Sequence, residues 1–559
     1  MTKRWSQRLG ARWTLENALF CCLLIVCVLP IWCLSQIPTQ DGPAHLYNAY
    51  LLSGWWQASF PIDRTYFALN PAPVPNWFST AILAILIQLF SPLLAERLLL
   101  SAYAILLPVS FRYASRSFDH PSRYVYFLGF VFVWNHLFNL GFFNFCLSLV
   151  GYLFFLGYWS RTRNRLGLSQ VSILIGLSLL IYLCNGLSYY LAAATVGLLS
   201  LGAILAERSR IDTWWKAVAK PQLGALLAVP LSVAFFALHG RSQLIHSSHL
   251  TLGSVAWTIT RAPILVSSFN AVDLKLSEFF SLVLLMATMA AVYVRRRRRT
   301  SLVYSDLLLA AAGLQLILYV ALPERALGGG EINYRVLLLA MVTLALWITL
   351  QPQPRPAVVG ISLSAAVVCI SLVARNLQRD LWLSAALNEY RKAESRMEEH
   401  KSFLRLQFEV TGYGSTRDPG LRYDPFLNAS ALIALERNLV DLDNYETASR
   451  NFPIIYRPGF DPMTVIRNEG SSAYRPLADI SQYEAMTGRP VDYVMIWDLQ
   501  RWSQTTPLGK MALQQLYRNY VPIYCARDIP LQLYQRRGEV NSAGVAPDCA
   551  LSIASSSSQ

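Results

Sequence analysis

About a dozen apolar runs, each roughly 14 to 20 residues long, fill the chain up to Arg375, against the roughly 20 residues that a helix needs to cross a bilayer. They begin with Ala18–Leu34, end with Val358–Val373, and include Trp77–Leu94, Leu98–Phe111, Tyr124–Leu137 and Leu223–Leu238. Segments of this kind have no water to satisfy their backbone in lipid, so helices are the economical solution. The composition agrees: 54% hydrophobic residues, 14% charged and a mean hydropathy of +0.35. The chain reads as a polytopic α-helical membrane protein of about 11–13 transmembrane helices.

The composition changes after Arg375. Residues 1–375 read as a multi-helix transmembrane domain whose first extracytoplasmic loop covers about residues 37–76, and 376–549 as a soluble α/β domain. Residues 550–559 read as a disordered Ser-rich tail. In the soluble part, Leu387–Phe408 reads as a charged helix, Val491–Trp497, Tyr520–Cys525 and Leu531–Tyr534 as strands, and Met511–Tyr517 as a helix between them.

The formal charge of +15 raises the prospect of nucleic acid, but the Lys and Arg residues cluster in short loops, as the positive-inside bias requires. No nucleic-acid partner is therefore expected. Met1–Arg12, Arg161–Arg165, Glu207–Lys220 and Arg295–Arg299 are assigned to the cytoplasm. Asp41, His239–Lys275, Pro323–Tyr334 and the soluble domain then face the other side, with membrane lipids as surroundings. The crossings do not close: Asp41 and Arg161 fall on opposite faces, which needs an odd number of spans, yet four apolar runs lie between them. A short broken span around Asn135–Gly141 is one way out. Seven of the nine cysteines lie in apolar runs and read as small packing residues, whereas Cys525 and Cys549 could pair in an oxidising compartment.

The stretch Ile37–Tyr47 places Asp41, Gly42-Pro43 and His45 directly behind the first apolar run. A carboxyl at a bilayer boundary needs water or a partner, which makes it a functional candidate. An N-cap ahead of Pro43 is the structural alternative. The loop after Leu322 carries Glu324, Arg325, a Gly triplet, Glu331 and Arg335. A carboxylate can take the proton from an attacking hydroxyl, and an Arg can match a phosphate leaving group and offset its charge. Together they suit group transfer from a lipid phosphate. Arg325 and Arg335 as snorkelling anchors, His45 as an interfacial polar residue and His136 as a packed one are the plainer readings. Asn428-Ala-Ser430 matches a glycosylation sequon.

The Asp41-Gly-Pro-Ala-His-Leu-Tyr47 motif and the Gly-Gly-Glu-Ile-Asn-Tyr-Arg335 run, set in this architecture over residues 1–375, resemble the GT-C superfamily of membrane glycosyltransferases, which includes protein O-mannosyltransferases and aminoarabinose transferases. The resemblance implies an enzyme of the bacterial cytoplasmic membrane that moves a sugar from a polyprenyl-phosphate donor to a glycan, lipid or protein acceptor with inversion. Asp41 would be the general base, and His45, Arg325, Glu331 and Arg335 would bind substrate. Many members carry two acids in this loop where Asp41 stands alone, so the resemblance leaves a divalent metal open. No metal ligands are assigned here. The competing readings are a transporter or flippase for a lipid-linked precursor and a catalytically silent polysaccharide assembly factor. Neither repeat symmetry nor acids within the apolar runs speak for transport.

Overall fold

The structure is a computed structural model. It describes residues 14–57, 64–118, 124–164, 166–206, 250–267, 271–298, 303–326, 329–407, 423–466, 479–497 and 507–538, with a few more between 230 and 237. Within these, seven helices are long and apolar enough to cross a membrane: Leu15–Cys33, Pro92–Ser117, Phe143–Thr162, Ala271–Arg298, Tyr304–Ala321, Ile332–Thr349 and Arg355–Arg396. The chain is a helical membrane protein. Four further apolar helical segments, Phe78–Ile87, Val125–Asn139, Leu168–Cys184 and Gly186–Gly202, are shorter, so the tally of about 11–13 drawn from hydropathy counts segments that length alone does not qualify as spans. Most of Leu223–Leu238, together with Glu207–Lys220, Asp63, Arg299, Cys549 and the Ser-rich tail, lies outside the described residues.

In chain order the first elements are α1 (Leu15–Cys33), α2 (Gly42–Ser53), β1 (Phe67–Leu69), α3 (Phe78–Ile87) and α4 (Pro92–Ser117). The run Trp77–Leu94 is not one span: α3 is 10 residues long, and Ser91-Pro92 starts a new helix, as a proline in the first turn favours. Glu16 at the start of α1 accepts a hydrogen bond from Arg116 at the end of α4 (2.7 Å) and from Tyr126 (2.5 Å). The two long helices are therefore antiparallel, and the described residues between them stay at the Asp41 end. Next comes a broken passage through α5 (Leu128–Val131) and α6 (His136–Asn139), entered through Tyr124 at φ 65. Asn135 breaks the helix and caps α6, its side-chain oxygen accepting from the Phe138 amide (3.0 Å). Helix α7 (Phe143–Thr162) then returns, with 89% of its apolar window buried against 28% for α1, so α7 is the central helix and α1 a peripheral one. Three passages separate Asp41 from Arg161, and the parity conflict disappears.

Helices α8 (Leu168–Cys184), α9 (Gly186–Ala206), α10 (Leu252–Arg261), α11 (Ala271–Arg298), α12 (Leu307–Ala321) and α13 (Ile332–Thr349) complete the bundle. The basic ends gather: Arg163 lies over Tyr304 (3.9 Å), Ser160 meets the Tyr304 hydroxyl (2.9 Å), and Arg295 pairs with Asp306 (2.6 Å) and Gln351 (3.1 Å). The long α14 (Arg355–Arg391) runs from this end through Arg375 without a break.

The charged helix read over Leu387–Phe408 is a correction. Helix α14 stops at Arg391, a 3-10 turn follows at Lys392–Arg396, and His400 at φ 61 turns the chain into β2 (Ser402–Gln407). All six residues of β2 are buried; Arg405, which makes the stretch look helical and exposed, is neutralised there by Asp443. The remaining elements are α15 (Ser430–Arg437), β3 (Val440–Asp441), α16 (Tyr445–Ser449), β4 (Ile454–Tyr456), α17 (Met463–Ile466), α18 (Ile480–Thr487), β5 (Tyr493–Trp497), α19 (Pro507–Asn519), β6 (Tyr520–Cys525) and β7 (Leu531–Arg536). Five strands form one mixed sheet in the order β3-β2-β5-β7-β6, parallel across β3-β2-β5 and antiparallel beyond. A second, two-stranded sheet pairs β1 with β4, Phe67 opposite Tyr456, and so stitches the first loop to the C-terminal segment. Cys525 is disulfide-bonded, while the seven other described cysteines are free.

Candidate active site

Asp41 sits where three chain segments meet. The α5–α6 passage holds the backbone before α2: the Gln40 and Asp41 amides donate to the Asn139 and Leu140 carbonyls, both at 3.1 Å. Gly141 makes this approach possible. It has φ +83, and a Cβ there would lie 2.7 Å from the Gly42 nitrogen, so only glycine fits. Pro43 starts α2, and Asp41 occupies the N-cap position, but its side chain makes no capping bond. The carboxylate turns to the C-terminal segment instead. It accepts from the Asn428 amide (2.9 Å) and the Gln40 amide (3.3 Å) and lies against the Tyr445 hydroxyl. Asp41 is 6% exposed. Burial pushes its carboxyl up to about 6, with Glu446 adding to the rise and His45 and Tyr445 opposing it.

One turn on, His45 points its Nε2 at the Gly141 carbonyl (2.9 Å). A carbonyl only accepts, so Nε2 carries a proton. The other ring nitrogen pairs with Glu446 of α16. Burial pulls the imidazole pKa down, but the Glu446 carboxylate, Asp41 and the Gly141 carbonyl together leave it raised. Asn48 donates to the second Glu446 oxygen (2.8 Å) and accepts from Thr447 and Asn444, both at 3.1 Å. With Tyr47 donating to the Leu439 carbonyl (2.7 Å), one face of α2 is fastened along the C-terminal segment.

Arg335 approaches from α13. Its guanidinium lies over Phe142 (4.5 Å) and Phe145 (5.9 Å), within electrostatic reach of Asp41, Tyr445 and Glu331. Its Nε is buried without a hydrogen-bond partner, and no ion pair forms on it among the described residues. Glu331, at φ 54 just ahead of α13, has its carboxyl raised by burial and by Glu324, against Arg335 and Arg325. Arg325 is exposed at the edge of this loop.

The structure thus brings Asp41, His45 and Arg335 together, with Glu331 beside Arg335 and Arg325 on the rim. Sequence reasoning missed four neighbours. Asn428 was read as part of a sequon, but it is 5% exposed and its amide is committed to Asp41 and to the Gln40 carbonyl (3.1 Å). Tyr445 and Glu446 carry no local signal, being some 400 residues from Asp41 in the chain; only the β1–β4 pairing and the packing of α2 reveal them. Glu96 sits in the first turns of α4 beside Gly42, where its charge passes for a helix-start residue. His136 is buried and bonded to the Ser267 hydroxyl (2.9 Å), apart from these residues. Among the described residues no three His, Cys, Asp or Glu side chains are grouped to hold a metal ion.

Neither a family model nor a curated protein matches this chain.

Proposed function

We propose that the chain is an inverting membrane glycosyltransferase of GT-C type, taking a sugar from a polyprenyl-phosphate donor to a hydroxyl acceptor at the Asp41 end of the bundle. The observation that carries this reading is the convergence of a buried carboxylate and a guanidinium without an ion-pair partner, drawn from elements about 290 residues apart. A partly buried guanidinium that forms no ion pair among the described residues suits a site that receives an anion. A hydroxyl acceptor would give its proton to Asp41 as its oxygen bonds the anomeric carbon. The bond from that carbon to the phosphate oxygen breaks in the same displacement, and the polyprenyl phosphate leaves against Arg335. The Asn428 amide and the Tyr445 hydroxyl orient the carboxylate, and the rise of its pKa to about 6 matches a base working near neutrality. Glu331 would hold Arg335 in place, and Arg325 would meet the lipid headgroup at the rim.

The disulfide at Cys525 supports an oxidising compartment for the C-terminal segment, and with it an extracytoplasmic site in a bacterial inner membrane. The basic helix ends at the other pole of the molecule support the same orientation. Replacing Asp41 with Asn tests the reaction. At normal protein level, the variant should build up polyprenyl-phosphate sugar and lose transfer by about 100-fold or more, the range for a removed general base. An unchanged lipid pool would sink the catalytic role.

A further inference from the structure

One carboxyl near the site has no explanation in the fold. Glu96 is 4% exposed in the first turns of α4, a helix long and apolar enough to span. Burial and the charges of His45 and Arg97 are what act on it, with no hydrogen bond, and no ion pair forms on it among the described residues. Glu16, Asp41, Asp380 and Asp441 each have at least one hydrogen-bond partner. Isolation of this kind costs stability, and an ionisable group within a membrane segment is by default a functional candidate.

Its surroundings say what it could hold. A Cβ on Gly42 would lie 3.0 Å from Glu96 Oε1, 2.1 Å from Thr39 Oγ1 and 3.1 Å from Phe143 Cζ. The Thr39 hydroxyl is buried without a partner. A carboxyl, a hydroxyl and an aromatic ring therefore crowd one spot at the start of α2, next to Asp41. Two unpartnered oxygens can bond a ligand rich in hydroxyl groups, and a ring can carry the apolar face of one. Phosphate chemistry belongs to Arg335, whose guanidinium complements it.

We infer that Glu96, with Thr39, binds hydroxyl groups of the sugar carried by the lipid donor. The inference rests on the donor reading given above. Glu96 is a binding residue and needs no part in the proton transfer.

Thermal unfolding of the full chain in lipid nanodiscs tests it. Wild type, Glu96→Gln and Glu96→Met are each melted alone, with bare polyprenyl phosphate, and with polyprenyl phosphates bearing glucose, mannose, galactose or N-acetylglucosamine. A ligand bound to the native state raises the midpoint with its concentration. Without ligand, Glu96→Met should melt at or above the wild-type midpoint. Bare lipid should stabilise all three proteins equally. At least one sugar-bearing lipid should stabilise wild type further, and in Glu96→Met its apparent affinity should fall at least tenfold, with Glu96→Gln between. The inference is overturned if the sugar increment is the same in Glu96→Met, if no sugar adds to the bare lipid in wild type, or if the ligand-free variant melts lower. If wild type shows the increment but forms no transfer product, the transfer reading fails and sugar binding at Glu96 stands.

Discussion

Asp41 is almost sealed from solvent, and that sets its protonation. Burial favours its protonated form, and the nearby His45 and Tyr445 hold the pKa at about 6. Two consequences have opposite signs. A base works ionised, so on the proposed reaction transfer should rise with pH through an apparent pKa near 6 and level off above it, as a pH–rate profile would record. The folded pKa is raised above the ordinary carboxylate value of 3.8, so the proton stabilises the fold. That contribution is complete below about pH 4 and is lost as pH climbs toward 6. A profile without an acidic limb between 5 and 7 would contradict Asp41 as base. The Asp41 motif was legible because a carboxyl behind an apolar run has few structural excuses. Arg335 was legible because a guanidinium at a helix start needs a reason. Glu96 was not, since one acid among Ala95, Arg97 and a preceding Pro resembles an ordinary helix beginning.

The elements show why hydropathy alone miscounts. Phe78–Ile87 is as apolar as its neighbours but ends after ten residues, and the passage from Tyr124 to Gly141 is broken by Asn135 and by backbone turns that periodicity does not register. That passage is a structural device: its carbonyls at Asn139, Leu140 and Gly141 receive Gln40, Asp41 and His45 in turn. Non-helical backbone at such a place is tolerated where protein surrounds it. Replacing Gly141 with Ala would set a Cβ against backbone at a positive φ. The expected cost is at least about 2 kcal/mol from the left-handed strain and overpacking together, read as a lower unfolding midpoint and a loss of activity. An unshifted midpoint would show that the passage can move away from Asp41. Strand β2 was misread for a different reason: its Arg405 looks solvent-facing until Asp443, in the turn after β3, comes alongside.

At the scale of the whole molecule, the two poles differ in kind. One gathers the basic helix ends around Glu16, Tyr304 and Asp306; the other gathers the first loop, the start of α13 and the C-terminal sheet around Asp41. A periplasm-dependent reporter such as alkaline phosphatase should be active when joined after Gly538 and silent when joined after Arg298. The reverse result would invert the proposed orientation. The composition changes at Arg375, but that residue lies inside α14, and the traffic between the two parts was not readable. Nothing in a hydropathy trace announces that β1 will pair with β4 or that α2 will lie against Tyr445, Glu446 and Leu439.

That pairing carries a consequence in time. Asp41 leaves the ribosome about 400 residues before Glu446 does, and at about 5–20 residues per second the interval lasts roughly 20 to 80 seconds. Throughout it, the first loop has no Asn428 to hold its carboxyl and no Glu446 to hold its imidazole. On the proposed reaction, the nascent protein has no assembled site. Competence arrives in one late event, when the last-made segment folds back onto the first-made loop.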